Sequence, residues 1–186
     1  MTVTNNRAEH VTGIARGGGS VGKITLSNSV VAGNVSATAD PDCGGTITSA
    51  GYNLIGNKTN CKFIALANDH VGTAARPINP RLLPLGDNGG PTFTHAPAVN
   101  SPVVNEGNPA EPGSGADACL VTDQRGVARP GVGTCDIGAY EQYLPMVTSV
   151  TRADASPTRA SSVHFTVRFS EAVTGIDTAA PLMTLP

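Results

Sequence analysis

The sequence predicts an all-β protein that begins as a solenoid of stacked parallel β coils and ends in a segment of β-sandwich. Three observations carry that expectation. A β-branched run, Ile24 to Asn34 (ITLSNSVVAGN), returns as Ile47 to Asn57 (ITSAGYNLIGN) at an offset of 23 residues, with Ile, Thr and the closing Gly-Asn matched. Such a period, without any helical pattern, is what stacked coils show when each buries its apolar side on the next. Among the 186 residues, 22 are Gly and 14 are Pro, aromatics make up 4% and Trp is absent. A core must then be built from Val, Ile, Leu and Ala on short strands joined by turns. Finally, Val163, Phe165, Val167 and Phe169 alternate with His164, Thr166, Arg168 and Ser170, the period of a half-buried strand.

Taken in order, Thr2 to Asn6 and Lys23 to Asn34 read as β runs separated by a loop at Gly17, Gly18 and Gly19. The 23-residue alignment sets Val31 and Ala32 opposite Leu54 and Ile55. Asn6, Asn34 and Asn57 each close a run, so they are expected at corners, where left-handed backbone is tolerated and equivalent side chains can stack. An ordinary turn asparagine is the plainer alternative. Residues 1–67 are thus assigned to the last coils.

Residues 68–143 differ in kind. The stretch 68–118 holds most of the prolines, with Pro77, Pro80 and Pro84 ruling out a regular helix and Asp87 to Pro91 (DNGGP) marking a turn. This irregular chain is expected to wrap over the open end of the solenoid and cover its last coil, with residues 105–117 as a linker in the plainer reading. Thr122 to Glu141 (TDQRGVARPGVGTCDIGAYE) reads as the closing element. Residues 146–186 then start a different β rhythm, too short for an immunoglobulin-like sandwich of about 100 residues.

Charge excludes some functions. With 12 basic and 14 acidic residues and a net charge of −2, nothing points to nucleic acid or to an anionic membrane surface. No run is long and apolar enough to span a bilayer. The first residues, MTVTNNRAEH, lack the charged and apolar regions of a signal peptide. An exported protein would carry that signal upstream, and the chain is expected to be a fragment of a longer one.

Four cysteines, Cys43, Cys61, Cys119 and Cys135, lack both the CxxC spacing and the neighbouring histidines of a zinc site. Four cysteines allow three disulfide connectivities. The local one, Cys43 with Cys61 and Cys119 with Cys135, is favoured because each pair brackets a Gly-rich loop. Four reduced thiols in a cytosolic protein remain the alternative. Disulfides imply an oxidising compartment.

AGYNLIGN (Ala50 to Asn57), PLGDNGGPTFTHAPAVNSPVVNEGN (Pro84 to Asn108) and the closing element together resemble the C-terminal part of bacterial right-handed parallel β-helix surface proteins. Specifically, residues 20–142 look like the choice-of-anchor Q domain, related to the β-helix repeats of polymorphic outer-membrane proteins. The resemblance implies a right-handed parallel β-helix end with an irregular cap, and an exported, cell-surface or secreted setting. It implies no assigned reaction. Where the family tends to read THAL followed by SPAID, this chain carries Asn105 in place of the acidic residue, which puts any role of that side chain in doubt. Val147 to Asp177 looks like the first strands of a bacterial Ig-like domain of the kind strung along adhesins, and the end, TAAPLMTLP, departs from it.

Enzymes that act on polysaccharides also use β-helices, and their chemistry needs clustered carboxylates. Asp40 and Asp42 are the close pair here, with Lys62 as a candidate neighbour. They are the weak catalytic candidates, set against a solvated loop or a weak calcium site with Asp69 or Asp87. Asp123, Arg125, Asp136 and Glu141 are read as a structural ion-pair set that fixes the closing element. His95 is read as a hydrogen-bonded structural residue, and His10, His70 and His164 as isolated and exposed. Asn34-Val-Ser36 and Asn57-Lys-Thr59 match the glycosylation sequon, accidental in a bacterial protein.

The expected function is structural or adhesive display on an exported bacterial protein, without catalysis, a metal or a cofactor beyond a weak calcium site. The alternative is a carbohydrate-active or glycan-binding β-helix protein. Glycans or surface proteins are the expected partners of a monomer that does not insert into the membrane.

Overall fold

The computed structural model describes residues 1–10, 13–15, 22–37, 42–131, 133–143, 145–157, 159, 161–170 and 173. Within them the chain is all-β and contains no helix. It divides into two compact units, Met1–Tyr143 and Leu144–Pro186.

The first unit carries ten short strands: β1 (Thr2–Val3), β2 (Arg7–Ala8), β3 (Ile14–Ala15), β4 (Ile24–Leu26), β5 (Val30–Val31), β6 (Val35–Ser36), β7 (Cys43–Ser49), β8 (Leu54–Ile55), β9 (Cys61–Ile64) and β10 (His70–Val71). Every pairing among them is parallel. One sheet runs in the order β1-β5-β8-β10, β2 pairs with β6, and β7 takes β3 and β4 as well as β9.

The recurring run pairs with itself, but not in one register throughout. Ile24 faces Ile47, Thr25 faces Thr48 and Leu26 faces Ser49, at the 23-residue offset. Val30 then faces Leu54 and Val31 faces Ile55, so the expected pairing of Val31 with Leu54 and of Ala32 with Ile55 is off by one residue. The extra residue lies in the second turn, where Gly51 (φ 104°) and Tyr52 (φ 57°) are both left-handed. The first turn bends through Asn28 alone (φ 45°) before β5. Gly33 (φ 73°) follows β5 and restores the offset at Asn34 and Asn57.

A slip of one residue exchanges the two faces of a strand, and here both faces are buried. Val31 and Ile55 join Leu26, Cys43, Ile47, Cys61 and Phe63 in one apolar cluster. Val30, Ala32 and Leu54 point the other way, into a second cluster with Val103 and Ile137. A sheet buried on both faces reads as an unbroken apolar run, which accounts for Val30-Val31-Ala32 and Leu54-Ile55.

The second cluster corrects the expected position of the irregular chain. Residues 68–143 do not simply close the end beyond the last strand. Their first residues supply β10 to the β1-β5-β8-β10 sheet, and the chain after it packs on one face of that sheet, with Ile78 and Leu82 flanking Val103 and Ile137. Gly138 N–H donates to Asn28 O (3.0 Å) and Ala139 N–H to Thr2 Oγ1 (3.0 Å). A Cβ at Gly138 would stand 2.8 Å from Thr2 Oγ1 and 3.1 Å from Val30 Cγ2. Only glycine lets the closing element come so near the first strand.

The corner asparagines do stack in part. Asn6 Nδ2 donates to Asn34 Oδ1 (2.8 Å), and Asn34 Nδ2 to Val3 O (3.1 Å). None of Asn6, Asn34 and Asn57 is left-handed, however; Asn5 (φ 57°) takes that geometry instead. The Gly17 to Gly19 loop lies outside the described residues.

In the second unit, β11 (Val147–Arg152) pairs antiparallel with β12 (Phe165–Phe169), with a register shift between Val147 and Ser149. The strand starts at Phe165, two residues after Val163, and because Phe165 is exposed its half-buried alternation is confined to Val167 and Phe169. TAAPLMTLP lies outside the described residues.

Candidate functional site

Buried carboxylates mark the places where this fold fixes polar groups, and the first is Asp42, 2% exposed at the start of β7. Its Oδ1 accepts Asn34 N–H (3.0 Å) and Asn34 Nδ2 (2.9 Å), and its Oδ2 accepts Asn57 N–H (2.7 Å). One carboxylate therefore ties the two Gly-Asn corners that the sequence repeat had aligned. A Cβ at Gly56 would stand 2.8 Å from Asp42 Oδ2, so this neighbour must be small. Burial pushes the Asp42 pKa up, and the amide donors of Asn34 and Asn57 oppose that without cancelling it. Cys43, the next residue, is bonded to Cys61 with Cα atoms 5.5 Å apart.

Asp42 thus has both oxygens occupied by the chain itself. Asp40 lies outside the described residues, and Lys62 is exposed and forms no ion pair with Asp42. Asp69 is similarly committed, accepting Asn53 N–H (2.9 Å) and Leu66 N–H (2.7 Å). Asp87 accepts Gly89 N–H (3.1 Å) in its turn. Among the described residues no three His, Cys, Asp or Glu side chains come together to hold a metal ion. The two sequon asparagines are also engaged: Asn34 as above, and Asn57 Oδ1 by Thr59 N–H (3.0 Å) and Thr59 Oγ1 (2.6 Å).

The closing element gathers the second group. Asp123 Oδ2 faces Arg125 Nη2 at 2.7 Å and accepts Arg125 Nε (2.9 Å) and Glu141 N–H (3.0 Å). Burial works to raise the Asp123 pKa, but these donors outweigh it and hold the carboxyl below its ordinary range. The Arg125 guanidinium also lies 3.5 Å from the centre of the Tyr140 ring, a stacking that suits a desolvated arginine.

Glu141 pairs not with Arg125 but with Arg129, at 3.3 Å, with side chains 1% and 5% exposed. Its carboxylate also accepts Gly131 N–H (2.8 Å) and Asp136 N–H (2.9 Å), while its backbone carbonyl accepts Arg125 Nη2 (2.7 Å). Arg129 donates to Asp136 O (2.8 Å) and Gly138 O (2.8 Å). Sequence reading missed Arg129, although three acids and only one assigned arginine in this stretch left one cation to be found. Asp136, fully buried, accepts Asn105 N–H (2.8 Å) and Gln142 N–H (2.5 Å). Burial is the main cause that raises its pKa to about 6, with the Glu141 charge adding and the Arg129 charge opposing. Cys119 and Cys135 are bonded across the same region, Cα atoms 6.6 Å apart.

Of the histidines, His95 Nδ1 lies 2.8 Å from Leu83 O. His70 and His164 are not isolated: His70 Nε2 lies 3.6 Å from Glu106 and His164 Nδ1 3.1 Å from Asp154. His10 is exposed.

Two depressions of the first unit bear on binding. One, of about 520 Å³, runs past Asn5, Asn34, Asp42, Asn57 and Asn79 along the asparagine corner. The other, of about 450 Å³, lies among Tyr52, Asn68, His70, Asn105 and Glu106. What the geometry does chemically is fix backbone: Asp42, Asp136, Asp123 and Glu141 each hold two or more N–H groups that would otherwise be buried without acceptors. No described helix is long and apolar enough to cross a membrane. Compared with protein-family models, curated proteins and solved structures, the chain matches none.

Proposed function

We propose that residues 1–143 are the end of a right-handed parallel β-helix closed by a choice-of-anchor Q-type region, and that residues 146–186 begin an Ig-like domain. Together they would serve structural or adhesive display on an exported bacterial surface protein. The observation that carries this reading is the parallel pairing of Ile24 with Ile47 at the repeat offset, continued on β7 by β9 and accompanied by a second parallel sheet in the order β1-β5-β8-β10. Repeating units that contact only their neighbours are what such a coil stack requires. Two disulfides support an oxidising, exported setting.

Carbohydrate cleavage draws less support. Asp42, the described member of the candidate acidic pair, has both oxygens taken by backbone and amide donors, whereas a general acid or base must reach substrate.

The test is made in the native protein that carries this chain. Deleting residues 1–143 should abolish protease-accessible display at the cell surface, or adherence to host or abiotic surfaces, while culture fluid shows no polysaccharide depolymerisation. Depolymerisation that disappears on deletion would overturn the display reading.

A further inference from the structure

We propose that the depression beside Tyr52 is a binding site for a neutral saccharide, because it gathers an aromatic ring and a mixed set of unused hydrogen-bond donors and acceptors on a strapped backbone. The lining comprises Tyr52, Asn68, His70 and Glu106, with Asn105 and Thr134 at its side. Among the described residues the Tyr52 hydroxyl and the Asn68 amide make no hydrogen bond, and the His70 imidazole meets only Glu106, at 3.6 Å through Nε2. These groups lie around a space of about 450 Å³, within the usual size of a small-ligand site.

The backbone beneath them is held from behind. Asp69 accepts Asn53 N–H and Leu66 N–H at 2.9 and 2.7 Å, fixing the turn that presents Asn68 and His70. Asn105 N–H donates to the buried Asp136 (2.8 Å), and Gly107 N–H to Cys135 O (2.8 Å), beside the second disulfide. Tyr52 (φ 57°) and Asn105 (φ 58°) are both left-handed. A left-handed tyrosine is costly, and such outliers concentrate at functional sites. Side chains with open valences on a fixed frame are the arrangement that makes binding specific.

Charge and valence choose the ligand class. Anionic sugars would meet the carboxylates of Glu106 and Asp69, both of which line the depression. A bare cation would use only acceptors and leave the Asn68 and Tyr52 donors unpaired, whereas sugar hydroxyls both donate and accept. The apolar face of a pyranose ring suits the face of a tyrosine. The site stands whether or not the stacked strands end a β-helix, since it needs only the loops that build it.

The whole chain is tested on an array of neutral oligosaccharides terminating in glucose, galactose or mannose, with galacturonate oligomers and polylysine as contrary probes, and hits are titrated by calorimetry. A neutral oligosaccharide should bind with a Kd tighter than about 1 mM. Glu106→Gln should weaken it about tenfold or more. Tyr52→Asn, a residue that tolerates left-handed backbone, should abolish it. Lys62→Gln, exposed and outside the depression, should leave it unchanged, and each variant is checked for wild-type circular dichroism and melting. Retention of no neutral oligosaccharide, equal binding by Glu106→Gln and Tyr52→Asn, or preference for galacturonate or polylysine would overturn the proposal.

Discussion

Asp42 Oδ2 accepts the backbone N–H of Asn57 at 2.7 Å, across 15 residues of sequence. Through its other oxygen the same side chain holds Asn34, so a single carboxylate clamps two corners that repeat one another. Asparagine at position 42 would keep the shape but offer one acceptor oxygen and an amide that cannot accept. Asp42→Asn should therefore strand one buried N–H and cost about 1–3 kcal/mol, read as a lower midpoint in urea denaturation. An unchanged midpoint would mean that the clamp contributes nothing.

The buried pair of Arg129 and Glu141 makes a sharper prediction. Removing one partner leaves an uncompensated charge in a site where both side chains are at most 5% exposed, so Arg129→Met or Glu141→Gln alone should cost about 3–5 kcal/mol. The double variant should cost clearly less than the sum of the two singles. Strict additivity in a double-mutant cycle would show that the two charges do not act as a pair.

Asp136 sets a pH dependence. Its pKa is raised to about 6 in the folded chain from 3.8, so between those values the native state binds more protons than the unfolded chain. Stability from this group therefore rises as pH falls from above 6 toward 4, on the order of 2 kcal/mol. Asp42, also raised, works in the same direction. Asp123 works oppositely: its lowered pKa gives stability that is present above 3.8 and is lost only at more acid pH. Comparing Asp136→Asn with the parent by denaturation at pH 7.5, 6 and 4.5 isolates the first effect. The parent should gain on the variant as pH falls, and a constant difference would refute it.

Much of this was legible in the residues because it depends on local spacing. Ile24 and Ile47 reveal their pairing by the repeat, and the two short cysteine separations reveal the bridges. The register of Val31 against Ile55 was not legible, since an alignment by identity is indifferent to one residue gained at Gly51 and Tyr52 and recovered at Gly33. Side chains buried on both faces remove the alternation that would have fixed it. Asp42 was marked as an acid beside another acid, but its role depends on two amides brought to it by folding. Arg129 lay in view within the closing element, yet its choice of Glu141 depends on how the chain turns back between positions 131 and 141.

The outer face of the β1-β5-β8-β10 sheet offers the last test. Val103 and Ile137 are brought onto Val30, Ala32 and Leu54 by chain from the irregular region, and Ile137 N–H donates to Val103 O (2.9 Å). If residues 68–143 only closed the end beyond the last strand, truncating Ile137 would disturb that end alone. As the closing element's apolar contact with the sheet, Ile137→Ala should cost about 2–5 kcal/mol and raise hydrogen exchange at Val30, Ala32, Leu54 and Gly56, whose amides bond to adjacent segments of the chain. Val150, 55% exposed on the hairpin of the second unit, supplies the contrast: Val150→Ala should change stability by no more than about 0.5 kcal/mol. Equal small effects at the two positions would mean that the outer cluster is not a core.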